Sequence, residues 1–405
     1  MGRFVQSFNE KWGFMNILFL IFHGFSESSG ISKKILYQIK GMRELGHKVS
    51  VCTYSINEKG NRVRMVDDEI IKDYGTGMQA SLRQRMDYHS IYEYATGHSI
   101  DFIYVRSFHN ANPFTIALFK SLQQRGIKIA MEIPTYPYDK EYKGFPLKTR
   151  MEIWIDKIFR RKLAKYTSII VTFSNHLMIF GQHTIRISNG VDFDSIPLQQ
   201  KKKHPEHEIH LTGVAEVHYW HGYDRLIAGL GEYYRTPHNE KIYFHIIGGI
   251  GPSEMYNSIH APGFQELIKK YGIEEYVIFH GQKYGEELNE LLNETDFAIG
   301  SLARHRCGIT GIRTLKNREY AARGIPFVYS ETDDDFDFMP YVWKVPADES
   351  PVDIQALIRF YKQEQWNGEV IRRSISHLSW KEQMNKVIVY IKVIPCYLRS
   401  YIYAG

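Results

Sequence analysis

The chain has 405 residues, 43% of them hydrophobic and 24% charged, a balance that supports globular cores and a length that allows two or three domains. Its net charge of +6 comes from a basic surplus in the first half; such a surplus attracts phosphates or anionic lipid surfaces, or is plain solvated surface, and with no recognised module it argues against nucleic acid. Three cysteines, Cys52, Cys307 and Cys396, are too far apart for a CxxC pattern or a zinc site, which excludes a disulfide framework and fits a reducing compartment.

Residues 1–14 precede a second methionine and are given no role. From Asn16 the chain reads as apolar strand, glycine-containing turn and amphipathic helix, closed by Gly46 before the next strand. The run Ile17 to Phe22 is too short to span a bilayer and is read as a buried strand. Further buried strands are expected near 102–106, 127–133 and 168–174, each preceded by a helical stretch. Turn residues and charge interrupt this rhythm at 191–208, as in an interdomain connection. The alternation resumes with strands at 209–215, 242–248, 276–281, 297–301 and 326–330.

Continuous apolar runs alternating with helices argue for parallel sheets covered on both faces. The expected fold is α/β, with two Rossmann-like doubly wound domains facing a cleft: 15–190, a linker at 191–208, 209–378, and a C-terminal helical segment 379–405 that crosses back to the first domain. Doubly wound sheets bind ligands outside the carboxyl ends of their strands, so the cleft is the natural site.

The segment from Leu315 to Glu331, LKNREYAARGIPFVYSE, resembles the donor-binding helix and following strand of the retaining GT-B glycosyltransferases of family four. Glu319 stands at the family's glutamate position, with Gly324 and Pro326 at its spacing. Weaker features follow the family's order: the Gly24 to Gly30 turn, Gly46, Ser188 to Asp192, His221 to Ile227, the glycines at 248 and 249, and the strand ending at Gly281. The resemblance covers about Met15 to Trp380 and departs from the family at two places. Gly311 replaces an upstream glutamate that faces the donor sugar, and His221 replaces a lysine that reaches the diphosphate.

A carboxylate at a strand end can accept bonds from two vicinal hydroxyls, which suits a ribose, and the resemblance gives this role to Glu319. A helix glutamate paired with Arg318 or Arg323 is the alternative. The turn Arg306 to Arg313, with Gly308 and Gly311, offers backbone amides to phosphate, and Arg313 and Lys316 add charge. His221 and Arg225, with Gly248 and Gly249, complete the donor-side candidates. In the first half Ser28, Ser29 and Gly30 form the expected acceptor and phosphate loop. Glu132 and Tyr136, at the end of a strand where the family often has a histidine, are the catalytic candidates, alongside Tyr138 and Asp139; Glu132 reads equally as a buried structural carboxylate. Lysines and arginines at 33, 34, 157, 160, 161, 162 and 165, interleaved with Trp154, Ile155, Ile158 and Phe159, form either a membrane-facing surface or an ordinary amphipathic helix.

The resemblance implies transfer of a sugar from a nucleotide-diphosphate donor to an acceptor hydroxyl with retention, in bacterial polysaccharide or glycan assembly. It implies no cofactor and no metal. The expected partners are a nucleotide sugar and a glycan or lipid-linked acceptor, and the expected location is the cytoplasm, with a peripheral seat at the inner face of the membrane. A non-catalytic nucleotide-binding or glycan-binding relative and a sugar-nucleotide epimerase are the alternatives.

Overall fold

The computed structural model describes residues 13–22, 30–107, 109–137, 147–251, 255, 263–363 and 366–402, of which 30, 147–149 and 394–402 are described by backbone alone. The chain divides into two compact units, Met1–Ser188 with Trp380–Gly405, and Asn189–Ser379.

The first unit carries strands β1 (Asn16–Ile21), β2 (Lys48–Ile56), β3 (Arg62–Val66), β4 (Glu69–Gly75), β5 (Phe102–Arg106), β6 (Lys128–Ile133), β7 (Ile169–Thr172), β8 (Met178–Ile179) and β9 (Gln182–Arg186). Its helices are α1 (Gly30–Glu44), α2 (Gly77–Met86), α3 (His89–Gly97), α4 (Pro113–Gln124) and α5 (Leu147–Ala164). The sheet order is β4-β3-β2-β1-β5-β6-β7-β9-β8. From β2 through β9 the pairs are parallel. Ile17 to Ile21 of β1 are wholly buried, roughly 1.5–3 kcal/mol of hydrophobic stabilisation for each large side chain. Helix α4 begins where Asn112 Oδ1 accepts the backbone N–H groups of Phe114 and Thr115 at 2.9 and 3.0 Å, with Pro113 in the first turn.

The first sheet is parallel through its middle, as expected, and antiparallel at its edges. Strands β3 and β4 form an antiparallel hairpin on β2, turned at Asp67 with φ of 51°, and β8 pairs antiparallel with β9. Rather than running continuously apolar, β3 sets Arg62 and Arg64 among its valines and is largely buried, while the edge strand β4 is mostly exposed.

The C-terminal helix Trp380–Ile402 packs on α1 within the first unit, burying Trp380, Met384, Val387, Ile388 and Ile391 beside Ile35, Ile39 and Met42. Their approach is close enough that a Cβ on Gly41 would lie 2.8 Å from the Trp380 backbone.

The second unit carries β10 (Glu208–Val214), β11 (Lys241–Ile247), β12 (Val277–Gly281), β13 (Phe297–Ile299), β14 (Phe327–Tyr329) and β15 (Val342–Lys344). Its helices are α6 (Tyr223–Tyr234), α7 (Phe264–Tyr271), α8 (Gly285–Asn293), α9 (Leu315–Arg323), α10 (Ile354–Gln363) and α11 (Gly368–Ser374). The six strands are all parallel in the order β12-β11-β10-β13-β14-β15, the doubly wound order with its switch point between β10 and β13. The 191–208 segment is fastened along this unit: Val191 N–H donates to Leu378 O, Gln199 N–H to Arg323 O, and the Gln199 amide to Leu292 and Thr295 carbonyls.

Three imidazoles bridge β10, β11 and β12. His210 Nδ1 lies 2.8 Å from His245 Nε2, and His245 Nδ1 lies 2.9 Å from His280 Nε2. His204 stacks on His210 at 3.8 Å. Burial, reinforced by His210 and His280, pushes the His245 pKa down to about 3, so the ladder is neutral near pH 7.

Candidate functional site

In an open parallel sheet the loops diverge at the switch point and leave a crevice outside the strand ends. In the second unit the loops that follow β10 and β13 are held together there, because Leu302 N–H donates to His221 O at 2.9 Å. Arg225 locks the back of this arrangement. It is 2% exposed and donates to the carbonyls of Leu302, Pro346 and Ser350 and to Asp348. Its guanidinium is thus directed at the scaffold, which argues against the diphosphate role considered for it.

Buried polar atoms without a hydrogen-bond partner gather around the switch point. Among the described residues these include Tyr223 Oη, Ser301 Oγ, Arg304 Nε, Thr314 Oγ1, Lys316 Nζ and Glu331 Oε2. Native interiors satisfy nearly all such atoms, so a concentration of them marks a place meant for a ligand or ordered water. Lys316 is the most telling. It lies in the first turn of α9, a helix whose N-cap Thr314 makes no side-chain cap, so its first N–H groups face outward from the helix end. The Lys316 ammonium sits 5.8 Å from the ring centre of Tyr223. Burial and then the charge of Arg304 bring its pKa down to about 7. A buried ammonium beside a second cation, at a helix N-terminus, is an arrangement that an anion completes. The Arg304 guanidinium lies 5.5 Å from the ring centre of Trp220.

His221 is 5% exposed, its Nδ1 accepts the His218 N–H at 3.0 Å, and burial with the charges of Lys316 and Arg304 pushes its pKa far down. It is a neutral imidazole, not a phosphate clamp. Gly308 closes the 3-10 turn Arg304–Cys307. Gly311 bridges to Thr332 and borders open space, the nearest atom to an added Cβ being 4.0 Å away. Arg313 is held by Asp334 at 3.0 Å. Arg318 is buried on Asp333 and Asp335, so it is Arg323 that pairs with Glu319, Nη2 to Oε1 at 3.0 Å. Glu319 is half-buried, and Arg323 donates to its Oε1 through both Nε and Nη2. Gly248 has φ of 130°, and a Cβ there would stand 1.7 Å from Ala215 O, so only glycine lets the β10 and β11 loops approach this closely. Gly249 O accepts the Val217 N–H at 2.7 Å.

In the first unit Glu132 is fully buried at the end of β6. It accepts from Gln38 Nε2 at 2.7 Å, Tyr104 Oη at 2.6 Å and Arg106, with Lys34 Nζ at 3.5 Å. Burial opposes its charge, but Lys34 and Arg106 prevail and hold its pKa at about 2. The carboxylate is ionised and enclosed by donors, which is the structural reading. Lys34, over the Phe173 ring at 3.6 Å, therefore belongs to this network rather than to a basic surface. Tyr136 packs edge-on against His176 and Phe180. Ser28, Ser29, Tyr138 and Asp139 lie outside the described residues, and Gly30 opens α1.

Arg304, Thr314 and Glu331 were not picked out from sequence. The Arg-His-Arg run after β13 was the available signal for Arg304, and Glu331 stands two residues past β14.

No family model matches the chain, and no curated protein matches its sequence. Its fold has neighbours among solved structures. A glycosyltransferase from Rickettsia africae ESF-5 superposes with a TM-score of 0.58 at 13% identity, covering 95% of this chain and 99% of that one. The catalytic domain of starch synthase IV from Arabidopsis thaliana, solved with ADP and acarbose, gives 0.59 at 12% identity, covering 94% and 99%. A glycosyltransferase involved in avilamycin A biosynthesis gives 0.53 at 13%, covering 94% and 98%. The class defined is one of fold: two parallel-sheet α/β domains of the GT-B glycosyltransferase type. In this chain Lys316 and Arg304 stand at the switch point of the second unit.

Proposed function

We propose that this chain is a glycosyltransferase that moves a sugar from a nucleoside diphosphate sugar to an acceptor hydroxyl with retention, in the assembly of a bacterial polysaccharide or other glycan. The observation that carries the reading is the buried, unpartnered ammonium of Lys316 at the N-terminus of α9. Breaking a glycosyl–phosphate bond leaves negative charge on the diphosphate, and fixed cations with helix N–H groups stabilise that charge in a site that excludes water. In this reading Lys316 and Arg304 meet the diphosphate in place of a metal ion, and the Glu319 oxygen not bound to Arg323 accepts from the ribose. The open space at Gly311 faces the sugar. The leaving phosphate accepts the acceptor's proton, so no side chain is assigned as nucleophile or base. The starch synthase neighbour, solved with ADP, supports a nucleoside diphosphate as the kind of ligand.

Gly311 and the neutral His221 favour a second reading, a nucleotide-binding relative without turnover. A thermal-shift panel of UDP, GDP, ADP, CMP and their sugar conjugates, run on wild type, Glu319→Ala and Lys316→Ala, tests the site. One diphosphate should raise the melting temperature of wild type and do so less in both variants; no shift with any nucleotide would overturn the donor site. Release of nucleotide dependent on an added acceptor then separates the transferase from the non-catalytic relative, and an altered sugar appearing without acceptor would indicate an epimerase instead.

A further inference from the structure

The first unit presents apolar stripes on two helices tied to each other. On α2, Met78, Leu82 and Met86 recur at four-residue spacing and are 82%, 56% and 46% exposed, while Ala80 and Gln84 turn inward. On α5, Met151, Trp154 and Ile158 share one face and are 57%, 64% and 51% exposed. Phe159, by contrast, packs against the core. Arg85 of α2 hydrogen-bonds Glu152 of α5 and joins the two helices.

The charge along these stripes is mainly basic, and the one carboxylate that ends α2, Asp87, pairs with Lys72 at 3.6 Å. Helix α2 contains Arg83 and Arg85 and no acidic residue, and exposed Lys157, Arg161, Lys162 and Lys165 continue the stripe at the far end of α5. The two acids of α5 are both committed inside the unit: Glu152 to Arg85, and Asp156, 3% exposed, to the Ala111 N–H at 3.1 Å.

We propose that this face docks on an anionic lipid bilayer, with Trp154, Met151, Ile158 and the α2 stripe entering the boundary between headgroups and acyl chains and the lysines and arginines meeting lipid phosphates. An amphipathic helix with large apolar side chains on one stripe and cations beside it lies in the plane of such an interface. No helix among the described residues is long and apolar enough to cross a membrane, so the contact is interfacial. A second copy of the chain is disfavoured as occupant, since two faces of like charge repel. This inference is independent of the transferase reading, and its test uses no donor sugar.

The full chain is floated with vesicles of phosphatidylcholine alone and of phosphatidylcholine mixed with phosphatidylglycerol. Two variants accompany it, Met151→Ser/Trp154→Ser/Ile158→Ser and Lys157→Gln/Arg161→Gln/Lys162→Gln/Lys165→Gln; their exposed positions should leave the melting temperature unchanged. Wild type is expected to float with the anionic vesicles, to stay behind with phosphatidylcholine, and to be released by salt, and each variant to lose at least about ten-fold in partition. Absence of floating, or equal floating with both vesicles, would overturn the proposal. So would a dimer by light scattering that the apolar variant dissociates, since the face would then belong to a second copy.

Discussion

The Lys316 ammonium lies 5.8 Å from the ring centre of Tyr223, and the charge that acts on it is that of another cation, Arg304. With its pKa brought down to about 7, Lys316 is partly neutral in the free protein. A bound diphosphate favours the ammonium and raises that pKa, so binding takes up a proton. Affinity should then be greatest below pH 7 and fall as pH rises above it, by at most about ten-fold per pH unit until the bound-state pKa is reached. Calorimetric titration of the nucleotide from pH 6 to pH 9 checks this; a flat profile would remove Lys316 from the anion site.

The same residue makes a paired prediction. Burying an unpaired ammonium costs stability that an apolar isostere does not. Lys316→Met should stabilise the free protein by roughly 1–3 kcal/mol while weakening nucleotide binding at least about ten-fold. Urea denaturation with and without nucleotide reads both, and a destabilised variant would mean that Lys316 serves the fold.

Removing the carboxylate from the Glu132 network leaves Lys34 and Arg106 buried without their counter-charge. Glu132→Gln should destabilise the first unit by roughly 3–5 kcal/mol. Its pKa, about 2 in the fold, lies below the ordinary unfolded value, so its contribution is present above about pH 4.5 and is lost as pH falls toward 2. A variant with wild-type stability by urea denaturation and no activity would instead return Glu132 to the catalytic list.

The histidine ladder predicts acid sensitivity of the second unit. His245 titrates at about 3 in the fold and near 6.5 when unfolded, so the unfolded chain binds more protons between these values. Stability is retained above pH 6.5 and should fall by roughly 1.4 kcal/mol per pH unit as pH drops from 6.5 toward 3. His245→Phe should flatten that slope in denaturation curves measured from pH 7 to pH 4; an unchanged slope would assign the acid loss elsewhere.

Gly248 and Gly311 should respond oppositely to side chains. Gly248→Ala drives a Cβ onto Ala215 O and should cost about 3 kcal/mol or more. Gly311→Glu enters open space and should leave the melting temperature within about 2 °C. Thermal melts compare the two directly, and a collapsed Gly311→Glu would show that the open space is needed by the turn itself.

The buried strands were legible from sequence because β5, β7 and β14 are continuous apolar runs, and period-free hydrophobicity bounded by turns has few other readings. The β3–β4 hairpin escaped because its apolar residues alternate with Arg62, Arg64 and Lys72, which read as loop. At the site, motif spacing drew attention to Glu319 and Lys316, but charge alone could not tell Arg225, bonded into carbonyls, from Lys316, bonded to nothing described. That distinction depends on which atoms the loops bring near each side chain. Thr314 and Glu331 carry no sequence signal, since their interest lies wholly in oxygens left unpaired by the fold.

The C-terminal helix has a consequence for the order in which the protein is made. Because Trp380, Met384 and Ile388 complete the core against Ile35, Ile39 and Met42, the first unit cannot be completed until the second has been synthesised. Residues 189–379 of the second unit are all synthesised before the helix that closes the first. Until that helix emerges, Ile35, Ile39 and Met42 of α1 lack the apolar cover it provides, the kind of transiently exposed surface that makes a chain prone to aggregate during synthesis.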